Sequence, residues 1–99
     1  MVRWTKQARA DLLAIGYYIA SDKPGASRSW VAKLKACAND ASHMPYAARV
    51  VPEYGRSNVR EVFLRSYRII FRVVDGGIHV LHVWHGHRLL PDLDLDACD

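Results

Sequence analysis

The chain has 99 residues and a mass of 11.2 kDa, which is the size of one small domain and excludes an enzyme built from separate cofactor and substrate domains. Hydrophobic residues make up 51% of the chain and charged residues 24%, a composition that excludes disordered and collagen-like proteins. The formal net charge is +4, but residues 1–90 hold all 14 Lys and Arg against six acidic residues, a net charge of +8, because four aspartates lie in the last nine positions.

The first half of the chain predicts a short extended segment followed by two helices. The extended segment is Val2–Trp4, and the side-chain oxygen of Thr5 can cap the helix that follows. This first helix extends to about Ser21. Its apolar residues recur at the spacing of one helical face: Ala8, Leu12, Ile15 and Ile19. After a short break, Pro24 suits the first turn of a second helix, which reaches about His43. Two helices joined by so short a break are expected to form an antiparallel hairpin.

In the second half of the chain the hydrophobic period changes to two residues, which predicts strands. Strands are expected at about residues 59–64, 67–74 and 78–85. A tight turn at Gly76 joins the last two of them. The order of elements therefore predicts an α+β fold: a short N-terminal strand, an antiparallel helix hairpin and a three-stranded antiparallel meander, with the helices on one face of the sheet. Residues 1–90 are expected to form a single domain and residues 91–99 an acidic C-terminal tail.

A two-residue turn at Gly76 determines which residues of the last two strands share a face. The face expected to pack under the helices consists of Tyr67, Ile69, Phe71, Val73, Ile78, Val80, His82 and Trp84. The opposite face, expected to be uncovered, consists of Arg68, Ile70, Arg72, His79, Leu81, Val83 and His85. Its two arginines and two histidines make it a candidate anion site. A two-residue turn at Arg65 and Ser66 would place Arg60 on the helix side near the sheet edge, whereas a bulge would reverse this.

All basic residues between positions 49 and 72 are arginines. They are Arg49, Arg56, Arg60, Arg65, Arg68 and Arg72, opposed by Glu53 and Glu61. Because guanidinium is a planar fork that matches phosphate and carboxylate, this patch suits a polyanion or an acidic protein partner. The alternative is a solvated strand face whose arginine stems cover apolar surface. The acidic tail is expected to fray as a free terminus, and the alternative is that it shields the arginines in cis.

Other kinds of site have weaker support. Four histidines lie near one another in the sequence, namely His79, His82, His85 and His87. Alternate strand positions point to opposite faces and no carboxylate completes a ligand set, so neither a metal nor another cofactor is expected. Cys37 and Cys98 do not have the spacing of a disulfide framework, and neither a signal peptide nor a bilayer-spanning apolar run is expected. We therefore expect a cytoplasmic protein.

Six short motifs follow one another along the chain. They are Asp11-Leu12 with Ile15, Tyr18, Ile19 and Ala20; Asp22-Lys23-Pro24; Val51-Pro52-Glu53; Arg60-Glu61-Val62; Tyr67-Arg68-Ile69; and Val83-x-His85-x-x-Arg88. In these motifs and in the order of its elements the chain resembles the RelE/ParE superfamily of bacterial toxins. The resemblance covers nearly the whole chain. It implies the toxin of a type II toxin–antitoxin system, a class associated with plasmid stabilisation, which arrests growth until a cognate antitoxin binds. RelE-like members are ribosome-dependent endoribonucleases that cut messenger RNA, whereas ParE-like members poison DNA gyrase.

RNA cleavage through the 2′-hydroxyl needs a base, a cation for the phosphorane charge and an acid for the leaving oxygen. The candidates are Glu53 or Glu61 as the base, Arg68 with Arg60 as the cations, and His85 or His87 as the acid. Arg68 corresponds to the arginine of the Tyr-Arg-Ile/Leu strand in RelE-like nucleases, and Glu53 lies where some of them have a glutamate. Glu61 is more simply explained as a structural partner of a neighbouring arginine.

The sequence departs from the RelE pattern in two ways. RelE itself uses a lysine-rich set of residues and a tyrosine near the C-terminus, but this chain has no lysine after Lys35 and no tyrosine after Tyr67. The endoribonuclease and the gyrase poison therefore both stay open. A third possibility is a non-toxic, basic member that binds nucleic acid or an antitoxin.

The resemblance also implies an antitoxin partner and a toxin–antitoxin hetero-oligomer. No association with a membrane is expected. An acidic, amphipathic C-terminal segment of the antitoxin is expected to lay a helix against the helix hairpin and to extend a strand along the sheet edge. Its acidic side chains would contact the arginines. The residues expected to contact RNA or another anionic partner are Arg56, Arg65, Arg72, Arg88, His79 and His87.

Overall fold

The computed structural model describes residues 1–86, 90 and 93–98. The helices are α1 (Lys6–Asp22) and α2 (Pro24–His43), followed by a short 3-10 helix (Pro45–Ala47). The strands are β1 (Val2–Trp4), β2 (Arg49–Val50), β3 (Val59–Leu64), β4 (Tyr67–Val74) and β5 (Gly77–His85). They form one sheet in the order β1-β5-β4-β3-β2, in which β1 runs parallel to β5 and the other neighbours are antiparallel. The predicted α+β fold is confirmed. Strand β2 was not predicted, since two residues are too few to show a period.

The two helices form the expected hairpin and are joined at Lys23. The hydroxyl of Thr5 accepts a hydrogen bond from the Ala8 amide at 3.2 Å and so caps α1. The same hydroxyl donates to the Leu81 carbonyl at 3.2 Å, which connects the start of α1 to β5. Between the helices, the Ser27 hydroxyl donates to the Gly16 carbonyl at 2.7 Å. None of the helices formed by the described residues has an apolar stretch long enough to cross a bilayer.

Apolar side chains are buried on both faces of the sheet. The helix-side core includes Ala8, Leu12, Leu34, Ile69, Phe71, Ile78, Val80 and Val83. On the other face a second group, here called the outer cluster, consists of Val51, Val59, Ile70 and Leu81, each at most 1% exposed. The side chains packed against the outer cluster are Tyr54, Trp84, Leu90, Leu93, Leu95 and Ala97. The expectation that this face is uncovered is therefore wrong, because the C-terminal segment, Leu90 with residues 93–98, lies across it.

A β-bulge in the last hairpin changes which residues share a face. Near the turn the register is as expected, with Val73 opposite Ile78, but it shifts between Ile70 and Phe71. The pairs beyond the shift are Ile70 with His82, Ile69 with Val83, Arg68 with Trp84 and Tyr67 with His85. The assignment of His82 and Trp84 to the helix-side core is therefore wrong, as is that of Val83 and His85 to the opposite face. The physical reason is that one extra residue in β5 reverses the alternation for every residue after it.

Candidate functional site

A buried ionic network on the face of the sheet opposite the helices contains Arg68 of β4, Glu61 of β3 and Glu53 of the loop after β2. Arg68 Nε donates to Glu61 Oε1 at 2.8 Å, while Nη1 and Nη2 donate to the two oxygens of Glu53 at 3.0 Å each. The side chain of Glu61 is fully buried and that of Arg68 is 7% exposed. Both are placed by the alternation of their strands, which directs residues 59, 61 and 63 of β3 and residues 68, 70 and 72 of β4 to one side.

Arg49 extends this network toward solvent. Its Nε lies 2.8 Å from Glu61 Oε2, and its side chain is 60% exposed. The guanidinium carbons of Arg49 and Arg68 lie 5.7 and 5.9 Å from the centre of the Phe63 ring, within the range of cation–π attraction. Arg49 was among the arginines of the predicted patch but not among the candidate catalytic or anion-binding residues. Its pairing with Glu61 depends on strand β2, where Arg49 stands opposite Glu61.

Hydrogen bonds from Arg68 are the main reason why the pKa of the Glu53 carboxyl is lowered to about 2, against the opposing effect of burial. In turn, the hydrogen bonds to Glu53 and Glu61 raise the pKa of the Arg68 guanidinium. Near pH 7 the carboxylate of Glu53 is therefore ionised and already occupied by a bidentate partner. A carboxylate with so low a pKa is a weak proton acceptor, so this environment disfavours Glu53 as a general base.

Arg60 lies apart from the Arg68 network. It stands opposite Phe71 on the helix side, as the two-residue turn at Arg65 and Ser66 predicts. Its Nε donates to the Ser57 carbonyl at 2.8 Å, and its Nη1 donates to the carbonyls of Ala48 at 3.0 Å and Tyr46 at 3.3 Å. These contacts hold the connection between α2 and β3 in place. Arg60 and Arg68 therefore do not form the pair of cations expected for a phosphate.

His85 also lies on the helix side, where its ring centre is 4.7 Å from that of Tyr67 and its Nε2 is 3.0 Å from the Ser66 hydroxyl. In the same region, the ring centres of Tyr67 and Trp30 are 6.0 Å apart, and the guanidinium carbon of Arg65 is 5.7 Å from the Trp30 ring centre. The bulge thus separates His85 from Arg68. The expectation that Arg68 and His85 share one face of the sheet is therefore wrong.

Arg56, Arg72 and His79 contact one another or the C-terminal segment. Arg72 Nη2 lies 3.1 Å from His79 Nδ1 and 3.1 Å from the Ala97 carbonyl oxygen, to which it donates. Arg56 forms a 3.1 Å ion pair with Asp96. Burial, followed by the charges of Arg72 and Arg3, lowers the pKa of His79, so this ring is neutral at pH 7. His87 and Arg88, also expected to contact an anion, lie outside the described residues.

One polar pair was not predicted. The Asp11 carboxylate of α1 accepts a 2.9 Å hydrogen bond from the Val83 amide and also contacts His82 Nδ1. His82 Nε2 is buried and has no hydrogen-bond partner among the residues that the structure describes. The contact depends on how α1 packs at the edge of β5, which no local pattern reveals. Within residues 1–86, 90 and 93–98, no three His, Cys, Asp or Glu side chains converge as metal ligands would.

An open groove of about 850 Å³ lies between α1 and α2. Its apolar lining includes Leu12, Leu13, Gly16, Tyr17, Ala20 and Val31. Leu13 is 63% exposed and Tyr17 is 74% exposed, so both side chains are accessible from solvent. The basic side chains of Arg9, Arg28 and Lys35 also line it. Apolar surface beside positive charge is suited to an acidic amphipathic helix.

The chain is similar to known toxins over most of its length. A family model described as the ParE toxin of type II toxin–antitoxin system, parDE, matches residues 2–90. Toxin RelE2 of Caulobacter vibrioides (strain ATCC 19089 / CIP 103742 / CB 15) is 34% identical over 89 residues, which are 89% of this chain and 97% of that protein. A solved structure described as the chromosomal ParDE TA system from P. aeruginosa has the same fold, with a TM-score of 0.73, 21% identity, and coverage of 87% of this chain and 95% of that one.

Proposed function

Because this chain belongs to the ParE toxin family of type II toxin–antitoxin systems, within the RelE/ParE superfamily, we propose that it arrests growth in the bacterial cytoplasm by binding DNA gyrase. A cognate antitoxin neutralises it. The names of its relatives come from both branches of the superfamily, so the choice of target depends on the site. The observation behind this choice is that Arg68 already donates to two carboxylates and is almost fully buried.

A nuclease would need Arg68 free to meet a phosphate. Here a phosphate would compete with Glu53 and Glu61, and their negative charge would repel it. Among the described residues, the candidate acid and the candidate base also lie on opposite faces of the sheet. His85 stacks on Tyr67 on the helix side, whereas Glu53 lies on the other side. These contacts support a protein that acts by capturing an enzyme over one that cuts RNA.

Two assays with the purified chain distinguish these functions. One measures supercoiling of relaxed plasmid by purified gyrase, and the other measures cutting of labelled messenger RNA on programmed ribosomes. We expect the chain to inhibit supercoiling at concentrations that leave the messenger RNA intact. Ribosome-dependent cutting without an effect on gyrase would reject the proposal in favour of the endoribonuclease.

We further propose that the groove between α1 and α2 receives the acidic amphipathic helix of the antitoxin, in a toxin–antitoxin hetero-oligomer. Arg9, Arg28 and Lys35 complement its charge, and Leu13 and Tyr17 contact its apolar face. An extended segment following that helix would pair along the sheet edge.

Substitution of one exposed groove residue tests this docking site. Leu13→Asp places a carboxylate where an apolar and acidic partner would lie, so we expect its affinity for the cognate antitoxin to fall at least about tenfold, or about 1.4 kcal/mol. Isothermal titration calorimetry measures this change. The matched control is Met44→Asp, since Met44 is 72% exposed and lies outside the groove. Equal affinities of the two variants would place the antitoxin elsewhere.

A further inference from the structure

The C-terminal segment covers the outer cluster with alternating apolar and acidic residues. Leu90, Leu93, Leu95 and Ala97 pack against Val51, Val59, Ile70 and Leu81. Asp94 and Asp96, which alternate with these leucines, are exposed to solvent. The segment thus presents apolar side chains to the sheet and carboxylates to solvent, as a bound acidic peptide would.

Polar contacts place the segment beside arginines at the rim of the outer cluster. Asp96 Oδ1 lies 3.1 Å from Arg56 Nη2, and the Ala97 carbonyl accepts from Arg72 Nη2 at 3.1 Å. The Leu90 amide donates to Glu53 Oε2 at 3.4 Å. The segment therefore contributes one carboxylate, that of Asp96, and two main-chain groups, the Ala97 carbonyl and the Leu90 amide, which any peptide offers.

The contacts that hold the segment are individually weak. In the ion pair, the side chain of Asp96 is 77% exposed and that of Arg56 is 40% exposed, and such surface pairs contribute little to stability. Leu93 and Leu95 are only partly buried. A segment held by partly buried side chains and a surface ion pair belongs to the part of a protein that opens most readily. Opening would uncover an aliphatic floor with two arginines at its rim.

We propose that the outer cluster, with Arg56 and Arg72, is a docking site for a short acidic and apolar segment of a partner protein, and that the C-terminal segment occupies this site in cis when the partner is absent. The aliphatic floor selects leucine-sized side chains and offers no group to hydrogen-bond a base edge. Arg56 selects a carboxylate, and Arg72 selects a peptide carbonyl. The proposal stands whether the toxin acts on gyrase or on the ribosome.

Competition between the segment and a peptide of the same chemistry tests this inference. The probe is a fluorescein-labelled peptide with the sequence of residues 90–98, in which serine replaces Cys98 to prevent oxidation. The proteins are the full-length chain and its double variant Leu93→Asp/Leu95→Asp, whose own segment can no longer pack on the outer cluster. Fluorescence anisotropy is expected to show at least about tenfold tighter binding to the double variant, because the native segment competes with the probe.

Further variants show whether binding occurs at the arginines. Adding Arg72→Ala to the double variant is expected to weaken probe binding at least about tenfold, whereas adding Lys6→Ala, at an exposed position of α1 outside the groove, is expected to have no effect. Asp96→Lys in the otherwise native chain reverses one exposed charge without touching the apolar contacts. It is expected to strengthen probe binding relative to the native chain, and it keeps the test valid if the double variant unfolds.

Several results would overturn the proposal. Equal binding of the probe to the native chain, the double variant and Asp96→Lys would show that the segment does not compete. Equally tight binding of a peptide with the same composition and shuffled leucines would show that the alternating pattern is not recognised. Binding of a uridine oligonucleotide by the double variant without binding of the probe would assign the exposed site to nucleic acid.

Discussion

At the scale of single residues, Arg68, Glu53 and Glu61 form a unit whose members depend on one another. Glu61 is fully buried and contacts both Arg68 and Arg49, so its charge is compensated from two sides. Removing one partner of a buried ion pair leaves an uncompensated charge and commonly costs about 3–5 kcal/mol. The network therefore has a structural role in addition to any role in binding.

Glu53→Gln is predicted to change how stability depends on pH. The pKa of Glu53 is lowered from 4.5 to about 2 in the folded chain, mainly by its hydrogen bonds with Arg68. A lowered pKa means that the stabilisation is fully present above pH 4.5 and is lost as the pH falls toward 2. We expect the melting temperature of the native chain to fall more steeply over this interval than that of the variant, as measured by circular dichroism.

Asp40→Asn is the matched control for this measurement, because it neutralises an exposed carboxylate on α2. It should keep the native pH dependence. If Glu53→Gln also keeps the native slope between pH 4.5 and 2, the ion pair with Arg68 does not lower the pKa of Glu53 in solution.

The sequence supports part of this network but not its burial. A structural pairing of Glu61 with an arginine follows from the number of arginines nearby, and Glu61 does contact Arg68. The burial of Arg68 could not be predicted, because it depends on how the loop that holds Glu53 folds back against the sheet. Local sequence patterns do not reveal such contacts.

At the scale of elements, the pairing of β1 with β5 depends on a close backbone approach at Gly77. The Met1 carbonyl accepts from the Ile78 amide at 3.0 Å. A Cβ atom on Gly77 would lie 1.9 Å from the Met1 carbonyl oxygen, which is far inside van der Waals contact. Only glycine therefore lets the parallel strand start here.

Gly77→Ala is predicted to destabilise the fold by about 1–3 kcal/mol, the usual cost of overpacking, because the clash is with backbone that cannot rotate away. Thermal unfolding measures the loss. Gly25→Ala is the matched control, since a Cβ atom there meets no atom within 4 Å and alanine favours the helix α2. A native melting temperature for Gly77→Ala would show that β1 does not pair with β5 in this register.

Elements with a clear period were predicted well, and irregular ones were not. Helix α2 and strands β3 and β4 have the expected bounds, since each repeats its apolar residues over enough positions to fix the period. The bulge in β5 leaves no such signal. It reversed the predicted facing of His82 and His85, and with it the expected arrangement of the candidate catalytic residues.

At the scale of the whole molecule, the sheet separates two surfaces of different character. The groove between α1 and α2 lies on one side, with Arg9, Arg28 and Lys35 among its lining residues. The outer cluster lies on the other, under the C-terminal segment. An antitoxin bound in the groove would therefore not cover the outer cluster, and a second partner would reach it by displacing the C-terminal segment. The sequence favoured a frayed acidic tail over one that shields the arginines, whereas the contacts of Asp96 and Ala97 favour shielding.

The most direct test of the proposed function compares DNA and protein synthesis after induction of the chain in bacteria without an antitoxin. We expect incorporation of labelled thymidine to fall within minutes, before that of labelled methionine. We also expect His85→Ala to arrest growth like the native chain, because His85 stacks on Tyr67 away from Arg68. An earlier fall in methionine incorporation, abolished by His85→Ala, would contradict binding to gyrase and show that the chain acts on translation.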